Sequence, residues 1–477
     1  MKKFLKAFII IFIVFIIALS YLYLSLLPVI GDSALYSQSI LEIQRSGKAT
    51  YLGYKETWKS PIFFYIYSFF TKPLSLFIKE PYVFSIPCVI FYFFSAFFLY
   101  KILRIFFDEN FSTIALFIFS LNPLSALIFS TPFNEAELMP FLLGSVYFYF
   151  ISYSNSIFLI PASIFLAFSF GIKSYEALII PFLSIFYFIE KRAKKKDFIL
   201  LSLSFSSIAI PIFLNAFVFK IGEMFMYDLK HFSIGINNLS FIKDFLIFLF
   251  PFSIFSFFGL RKNKEEKEKK ERTRIFDFWF FFIIPVFFFE SGTPWYYSPL
   301  LPAIAVLSTS FFRKENKFDY LIIFFILFLC FFSSMFIIHE VKTIPDKISF
   351  YGGLEEIELA KTLAKKDNVL LLYYSPTFVF YYSYYSNYSL SVYWFNFYYP
   401  SPSSKELEEA LSFYGENITS WNKWYYNEIK AIYANPRERI DFIVLRDIDY
   451  SQNSQFFSQN GYYPYIVLSR ILVLKKF

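Results

Sequence analysis

The sequence predicts a polytopic bundle of α-helices in a membrane, followed by a small α/β domain outside it. Of the 477 residues, 57% are apolar, and uncharged runs of about twenty residues recur, each long enough to cross a bilayer core. From about residue 342 onward, charged residues appear throughout, and helix-like stretches alternate with strand-like ones. We therefore predict a multispan domain over 1–340 and an extracytoplasmic domain over 341–477.

About eleven apolar runs meet the length requirement for a membrane span. They cover roughly residues 4–30, 82–107, 111–130, 137–153, 155–172, 176–190, 197–219, 241–260, 275–291, 299–312 and 318–338. The first run is long for the apolar part of a signal peptide, and no small-residue cleavage pattern precedes Asp32. We therefore interpret it as a retained anchor.

The distribution of lysine and arginine predicts the orientation in the cell membrane. With a cytoplasmic N-terminus, 21 of the 45 Lys and Arg residues fall in inner loops and 14 in the C-terminal region, which leaves about 10 for the outer loops. Because inner loops are enriched in cations, this arrangement places the C-terminal domain outside. The net charge of +8 then reflects topology, and we expect no nucleic-acid partner.

The C-terminal domain is predicted from alternating patterns. Helices are expected over Leu354–Lys366, Lys405–Tyr414 and Trp421–Tyr433, and strands over Val369–Tyr374, Leu390–Phe397, Asp441–Arg446 and Tyr465–Leu474. The two cysteines, Cys88 and Cys330, fall inside predicted spans. They therefore cannot cross-link this domain.

Asp32 is the first candidate for a functional residue. It follows the first span and begins a polar loop that closes with Lys59-Ser60-Pro61. A carboxylate at the edge of the hydrocarbon loses hydration, so its presence there points to a function. A charge at a helix end that simply reaches water is the alternative.

Charged and aromatic residues also occur in other loops on the same predicted outer face. The candidates beside Asp32 are Tyr36 and Lys59 in the first loop, Glu135 and Glu137 before the fourth span, Lys173 after the fifth, His231 before the eighth and Tyr296 before the tenth. Such a set describes a cleft for an amphiphilic substrate with a charged head. Two carboxylates can act as base and orienting group or hold a divalent metal such as Mg or Mn, and lysines can neutralise a phosphate.

Simpler roles stay open for several of these residues. Lys173 can pair with Glu176 at a helix end, and Lys59 can extend its ammonium to the membrane interface. Glu137 can interact with the N-terminus of the fourth span. His231 can be an exposed loop residue.

The sequence resembles the GT-C superfamily of glycosyltransferases, which are multispan enzymes with polyprenyl-phosphate sugars as donors. An acidic residue just after the first span and a loop ending in Lys-x-Pro, here Asp32 and Lys59-Ser60-Pro61, are similar to protein O-mannosyltransferases and lipid A aminoarabinose transferases. In those families the loop commonly ends Lys-Pro-Pro, so Ser60 is a departure.

Three later segments extend the resemblance over about residues 1–340. Asn122-Pro123, Ser130 and Asn134-Glu135 are similar to a stretch of the glycosylphosphatidylinositol mannosyltransferases; Gly171-Ile172-Lys173, Ala177-Leu178 and Pro181 are similar to a turn of the aminoarabinose group; and Tyr296-Tyr297 with Pro299-Leu300-Leu301-Pro302 resembles a hairpin that recurs across these families. The resemblance depends on their order and sidedness rather than on one motif.

The resemblance implies an inverting transfer of a sugar, for example a mannose-like one, from a polyprenyl-phosphate donor to a hydroxyl of a glycan, lipid or protein on the outer face. It implies Asp32 as general base, Lys173 with Lys59 at the leaving phosphate, and Glu135 or Glu137 orienting the acceptor or assisting a metal. Two other classes of function stay open. One is a protein that binds or flips a polyprenyl phosphate, and the other is a structural subunit of a cell-surface glycan assembly.

Overall fold

The computed structural model describes most of the chain. The described residues are 2–51, 54–55, 61–152, 154–173, 199, 202, 252–265, 275–281, 294–312, most of 325–339, 354–366, 368–372, 375–386, 391–392, 403–412, 440–468 and 471–477. Across these ranges the chain is mostly helical, with a small sheet near its C-terminus. The predicted helical character and the small C-terminal α/β region are confirmed.

The elements follow one another in a simple order. The helices are α1 (Lys2–Ser25), α2 (Asp32–Ser46), α3 (Pro61–Leu74), α4 (Ile86–Phe106), α5 (Glu109–Leu121), α6 (Pro123–Ile128), α7 (Asn134–Ile151), α8 (Leu159–Ile172), α9 (Phe252–Glu265), α10 (Leu301–Phe312), α11 (Leu354–Leu363), α12 (Pro376–Tyr385), α13 (Ser404–Ser412) and α14 (Asp447–Gln459). The strands are β1 (Thr50–Tyr51), β2 (Tyr54–Lys55), β3 (Val369–Leu371), β4 (Ser391–Val392), β5 (Phe442–Arg446), β6 (Tyr462–Val467) and β7 (Ile471–Lys476). Residues 275–281 are also helical.

The chain divides into two compact units. The first comprises Met1–Leu27 and Thr57–Glu340, and the second comprises Pro28–Glu56 and Val341–Phe477. The sequence-based division places the whole of 1–340 in one domain. In the structure, the segment that contains Asp32 groups instead with the C-terminal residues.

One helical stretch among the described residues, Pro81–Phe106, is long and apolar enough to cross a membrane. Shorter apolar helices occur at Ile11–Ser25, Glu109–Leu121, Ser156–Ile172 and Tyr297–Phe311. The predicted spans at 176–190, 197–219 and 241–260 lie wholly or mostly outside the described residues. The number of about eleven spans therefore stays a prediction.

The third predicted span, 111–130, is not one helix. Asn122 ends α5 and begins α6, because its Oδ1 accepts a hydrogen bond from Leu124 N at 2.9 Å. Pro123 takes the first position of α6, where a missing N–H costs nothing. The prediction of a continuous span is wrong here because this Asn-Pro pair supplies both a stop and a start.

The helix pair α7 and α8 is packed very closely. A Cβ on Gly144 of α7 would lie 2.3 Å from the Phe165 ring of α8, and Ser145 Oγ donates to the carbonyl of Ala162 at 2.8 Å. The Phe165 ring also contacts Phe98 of α4 edge-on, with ring centroids 5.5 Å apart. Because α7 and α8 are consecutive helices joined by a short turn, the start of α7 and the end of α8 lie at the same end of the pair.

The second unit contains a five-stranded sheet with the order β4-β3-β5-β7-β6. Strand β3 runs parallel to β4 and β5, whereas β7 is antiparallel to β5 and β6. The predicted single strand Tyr465–Leu474 is wrong, since this sequence forms the two paired strands β6 and β7. Pro464 is tolerated because β6 lies at the sheet edge.

Helices α12 and α14 were not predicted from the sequence. The predicted helix Trp421–Tyr433 lies outside the described residues.

Candidate functional site

Two predicted site residues of the first unit form a buried ion pair. Lys173 Nζ lies 2.6 Å from Glu135 Oε1, and their side chains are 3% and 0% exposed. The sequence offers Glu176 as an alternative local partner for Lys173, but Glu176 lies outside the described residues. The structure therefore joins two candidates that the sequence placed on one face without pairing them.

Helix ends position both charges favourably. Glu135 lies in the first turn of α7, where the positive end of the helix dipole stabilises an anion. Lys173 follows the last residue of α8 as its C-cap, with its N–H bonded to Ser169 O at 2.9 Å. A cation is stabilised at that end, so the close packing of α7 on α8 brings two complementary termini together.

Asn134 adds a second donor to the Glu135 carboxylate. With its amide nitrogen turned toward Glu135, Asn134 donates to Oε2 at 2.6 Å and to Oε1 at 3.0 Å. A carboxylate with two such partners is held in one orientation. Glu135 is therefore fixed in a position from which it can orient a neighbouring group.

Glu137 differs from Glu135 in having no hydrogen-bond partner among the described residues. It is 0% exposed, yet neither of its carboxylate oxygens has a hydrogen-bond partner within the part of the chain that the structure describes. Glu137 also lies in the first turn of α7, so an interaction with the positive end of that helix stays open as the simpler role. A buried carboxylate without a hydrogen-bond partner in the described part of the chain is a candidate for binding a ligand.

A turn before α10 contacts the same region of the bundle. Residues Pro294–Leu300 form a 3₁₀ turn that packs against α6 and α7, and Tyr297 within it is fully buried. The indole of Trp279 holds the turn by donating from Nε1 to the carbonyl of Pro299 at 2.8 Å. Only the backbone of Tyr296 is described, so its predicted contact with substrate stays a prediction.

The second unit carries Asp32 and Tyr36. Asp32 is the first residue of α2, preceded by Gly31 at φ 60° and ψ −134°, a conformation that glycine adopts far more easily than other residues. Tyr36 is buried on the same helix. The helix ends in the expected way at Gly47, which has a left-handed conformation.

Other predicted site residues lie outside the described part of the chain. These are Lys59 and His231. Their predicted roles at the phosphate and near the acceptor are therefore predictions from the sequence only.

The carboxylates on one predicted face of the membrane domain raise the question of a divalent cation site. Among the described residues there is no group of three or more His, Cys, Asp or Glu side chains that could hold a metal ion. Glu135 is already occupied by Lys173 and Asn134. These residues do not form a metal-ligand set, and we assign no step to a cation.

Three polar residues that contact the predicted site residues or the backbone beside them were not predicted from the sequence. Asn134 belongs to the segment that carries the family resemblance but is not among the predicted site residues, although it directly precedes Glu135. Thr377 and Tyr381 hydrogen-bond to the backbone before Asp32. Their four-residue spacing on one helix face was the available signal, but no helix was predicted there.

A substitution at Gly144 should loosen the α7–α8 pair and with it the Glu135–Lys173 contact. In Gly144→Ala the new methyl group meets the Phe165 ring at 2.3 Å, and overpacking of this kind costs about 1–3 kcal/mol. We expect a lower melting temperature of the purified protein in detergent. Adding Phe165→Leu should recover part of the loss, whereas an unchanged melting temperature in Gly144→Ala would contradict so close a contact.

Comparison with solved structures shows that the chain has the GT-C fold, as the sequence resemblance implied. One is ArnT from Cupriavidus metallidurans, a lipid A aminoarabinose transferase, bound to undecaprenyl phosphate: TM-score 0.70, 11% identity, covering 98% of this chain and 97% of that chain. Another is ArnT from the same organism in the apo state: TM-score 0.67, 12% identity, covering 99% and 98% of the two chains.

The similarity to these structures is in the fold and not in the sequence, which is 11–12% identical. No protein-family model matches the sequence, and no curated protein matches it. The fold similarity nevertheless extends over almost the whole length of both chains, including the C-terminal region.

Proposed function

We propose that this protein is a membrane glycosyltransferase that transfers a sugar from a polyprenyl-phosphate donor to an acceptor hydroxyl on the outer face of the membrane. The observation that carries the proposal is the fold likeness, over 98% of this chain, to ArnT bound to undecaprenyl phosphate. A site of charged residues within that fold supports it, because fold alone does not define an activity. The sugar and the acceptor class, whether glycan, lipid or protein, are not specified by these observations.

In the proposed reaction Asp32 is the general base. It removes the proton of the acceptor hydroxyl as the oxygen attacks the anomeric carbon and the bond to the lipid phosphate breaks. Attack from the face opposite the leaving group inverts the anomeric configuration. The lipid phosphate leaves as an anion, so it needs charge neutralisation more than protonation.

Lys173 is proposed to stabilise the leaving phosphate, with Lys59 as a second cation. An ammonium has three donors, so Lys173 can contact a phosphate oxygen while it keeps its ion pair with Glu135. Glu135 then fixes the position of the ammonium, and Asn134 fixes Glu135. Holding a cation in place before the substrate arrives lowers the cost of organising it during the reaction.

Glu137 is proposed to bind hydroxyl groups of the sugar or of the acceptor. Its two oxygens have no hydrogen-bond partner among the described residues, and a buried carboxylate gains most from donors that a ligand supplies. Tyr36, Tyr296 and His231 are proposed as further contacts with substrate. A divalent cation is a separate hypothesis, tested by transfer in EDTA with and without added Mg or Mn.

The proposed orientation has a cytoplasmic N-terminus and an extracytoplasmic C-terminal region. Single cysteines at Lys267 and Ser401, in a background with Cys88 and Cys330 replaced by alanine, should react with an impermeant reagent from opposite sides of the membrane. The cation distribution predicts that Ser401→Cys labels from outside. Labelling of both from one side would contradict the predicted topology and the outer location of Asp32.

Donor-dependent transfer by the purified protein is the experiment that tests the function. The glycans and lipids of a strain lacking the protein are first compared with the parent by mass spectrometry, which identifies the missing sugar. The purified protein is then incubated with that sugar on a polyprenyl phosphate and with the candidate acceptor. Binding of polyprenyl phosphate without transfer would favour a binding or flipping protein, and neither binding nor transfer would favour a structural subunit.

A further inference from the structure

We propose that Thr377 and Tyr381, two hydroxyl-bearing residues of the C-terminal region, are positioning residues for Asp32. This inference rests on the proposed function, since it gives the C-terminal residues a part in the same reaction. It is based on the backbone that enters α2. In the structure that backbone is held from a helix more than three hundred residues further along the chain.

Two hydrogen bonds define the contact. Val29 N donates to the hydroxyl of Tyr381 at 3.1 Å, and Gly31 N donates to Thr377 Oγ1 at 3.0 Å. The bonded residues are 352 and 346 positions apart in sequence, and both contacts are buried. Asp32 follows Gly31 directly, so the second bond fixes the peptide group adjacent to the proposed base.

Thr377 and Tyr381 act from one face of one helix. They are four residues apart on α12, a spacing that places side chains one above the other. Both residues are almost fully buried: Thr377 is 0% exposed and Tyr381 is 4% exposed. A single rigid helix therefore presents two acceptors to consecutive parts of the segment before Asp32.

Helix α12 is itself firmly held within its unit. Ser375 caps it, since Phe378 N donates to Ser375 Oγ at 3.0 Å, and Ser375 Oγ in turn donates to the buried carboxylate of Glu356 on α11. Near the other end, the hydroxyl of Tyr382 donates to Lys366 O at 2.9 Å. The cap and its bond to Glu356 fix the start of α12, the end that carries Thr377, without depending on the hydroxyl of Tyr382.

The conformation of Gly31 explains why such support is needed. Its φ of 60° and ψ of −134° lie in a region that glycine reaches without the steric cost of a Cβ, and a glycine is free to leave it for many other conformations. Without acceptors for Val29 N and Gly31 N, this segment has more freedom to relax. A shift of about 1 Å at a catalytic group can lower a rate roughly a hundredfold.

The test compares Thr377→Val, Tyr381→Phe and their combination with wild type. We expect the double variant to lower kcat for sugar transfer about 10–100-fold, with KM for the donor nearly unchanged, because positioning rather than donor binding is lost. Thr377→Ser keeps a hydroxyl and should stay near wild type. Tyr382→Phe is the matched control: it removes a hydroxyl from the same helix without touching Val29 or Gly31.

Hydrogen exchange supplies a second readout that does not need activity. Amide protection over residues 28–46 should fall in the double variant and not in Tyr382→Phe. If wild type transfers sugar and the double variant keeps wild-type kcat, the positioning role is wrong while the proposed function stands. If wild type does not transfer sugar, the proposed function fails, and unchanged exchange over 28–46 would separately overturn the structural part of this inference.

Discussion

Replacing Asp32 by asparagine should lower turnover of sugar transfer by roughly 10²–10⁴-fold while donor binding is largely kept. Asparagine preserves the shape of the side chain and its hydrogen bonding but cannot accept a proton. An acceptor hydroxyl is a poor nucleophile at neutral pH, so the step needs a nearby base. The measurement is kcat and KM for the donor, with acceptor in excess.

Glu135→Gln is the comparison that makes the Asp32 result specific. Glu135 is held by Lys173 and Asn134, and a carboxylate so occupied is a weaker candidate for the base. We expect Glu135→Gln to cost less in turnover than Asp32→Asn. Near-full transfer by Asp32→Asn together with abolished transfer by Glu135→Gln would identify Glu135 as the base. Unchanged transfer in both variants would refute the mechanism.

The sequence predicted those features that depend on local composition. Apolar runs form helices at α1, α4 and α7 because a helix satisfies all its backbone N–H and C=O groups within the segment, away from water. Helix α3 was missed because its 14 residues are too few for the span length that the prediction required. The Asn122-Pro123 pair was noted for the family resemblance, but the sequence analysis did not predict that it would end one helix and begin the next.

The sequence predicted which face of the membrane domain carries Glu135 and Lys173, but it did not predict that they contact each other. The alternation of cationic loops placed Glu135 and Lys173 on one face, and the structure pairs them. The sequence instead suggested Glu176 for Lys173, because a partner three residues away is visible along the chain. A partner on another helix depends on how closely α7 and α8 approach, and that depends on Gly144 and Phe165.

The grouping of residues 28–56 with the C-terminal unit could not be predicted from local patterns. It depends on α12, whose sequence PTFVFYYSYY lacks alternating polar and apolar positions. Eight of its ten residues are buried, so the helix shows no solvent-facing stripe. A helix buried on most sides gives no periodic signal.

The buried ion pair should show the largest effect on stability. In Lys173→Met the Glu135 carboxylate, 0% exposed, loses its cation and stays buried with the Asn134 amide as a neutral partner. Breaking such a pair from one side costs about 3–5 kcal/mol. We therefore expect a marked fall in the melting temperature of the purified protein, together with loss of donor use.

The double variant Glu135→Gln with Lys173→Met separates the two roles of the lysine. Both members of the pair are then uncharged, and such neutral replacements are often close to wild type in stability, so most of the melting temperature should return. Transfer should not return, because the phosphate then lacks its cation; one lost charge-assisted bond is worth roughly 1.5–3 kcal/mol. Lys173→Arg should keep part of the donor use. If the double variant recovers both stability and transfer, Lys173 serves only to pair with Glu135, and the leaving phosphate is neutralised by another group.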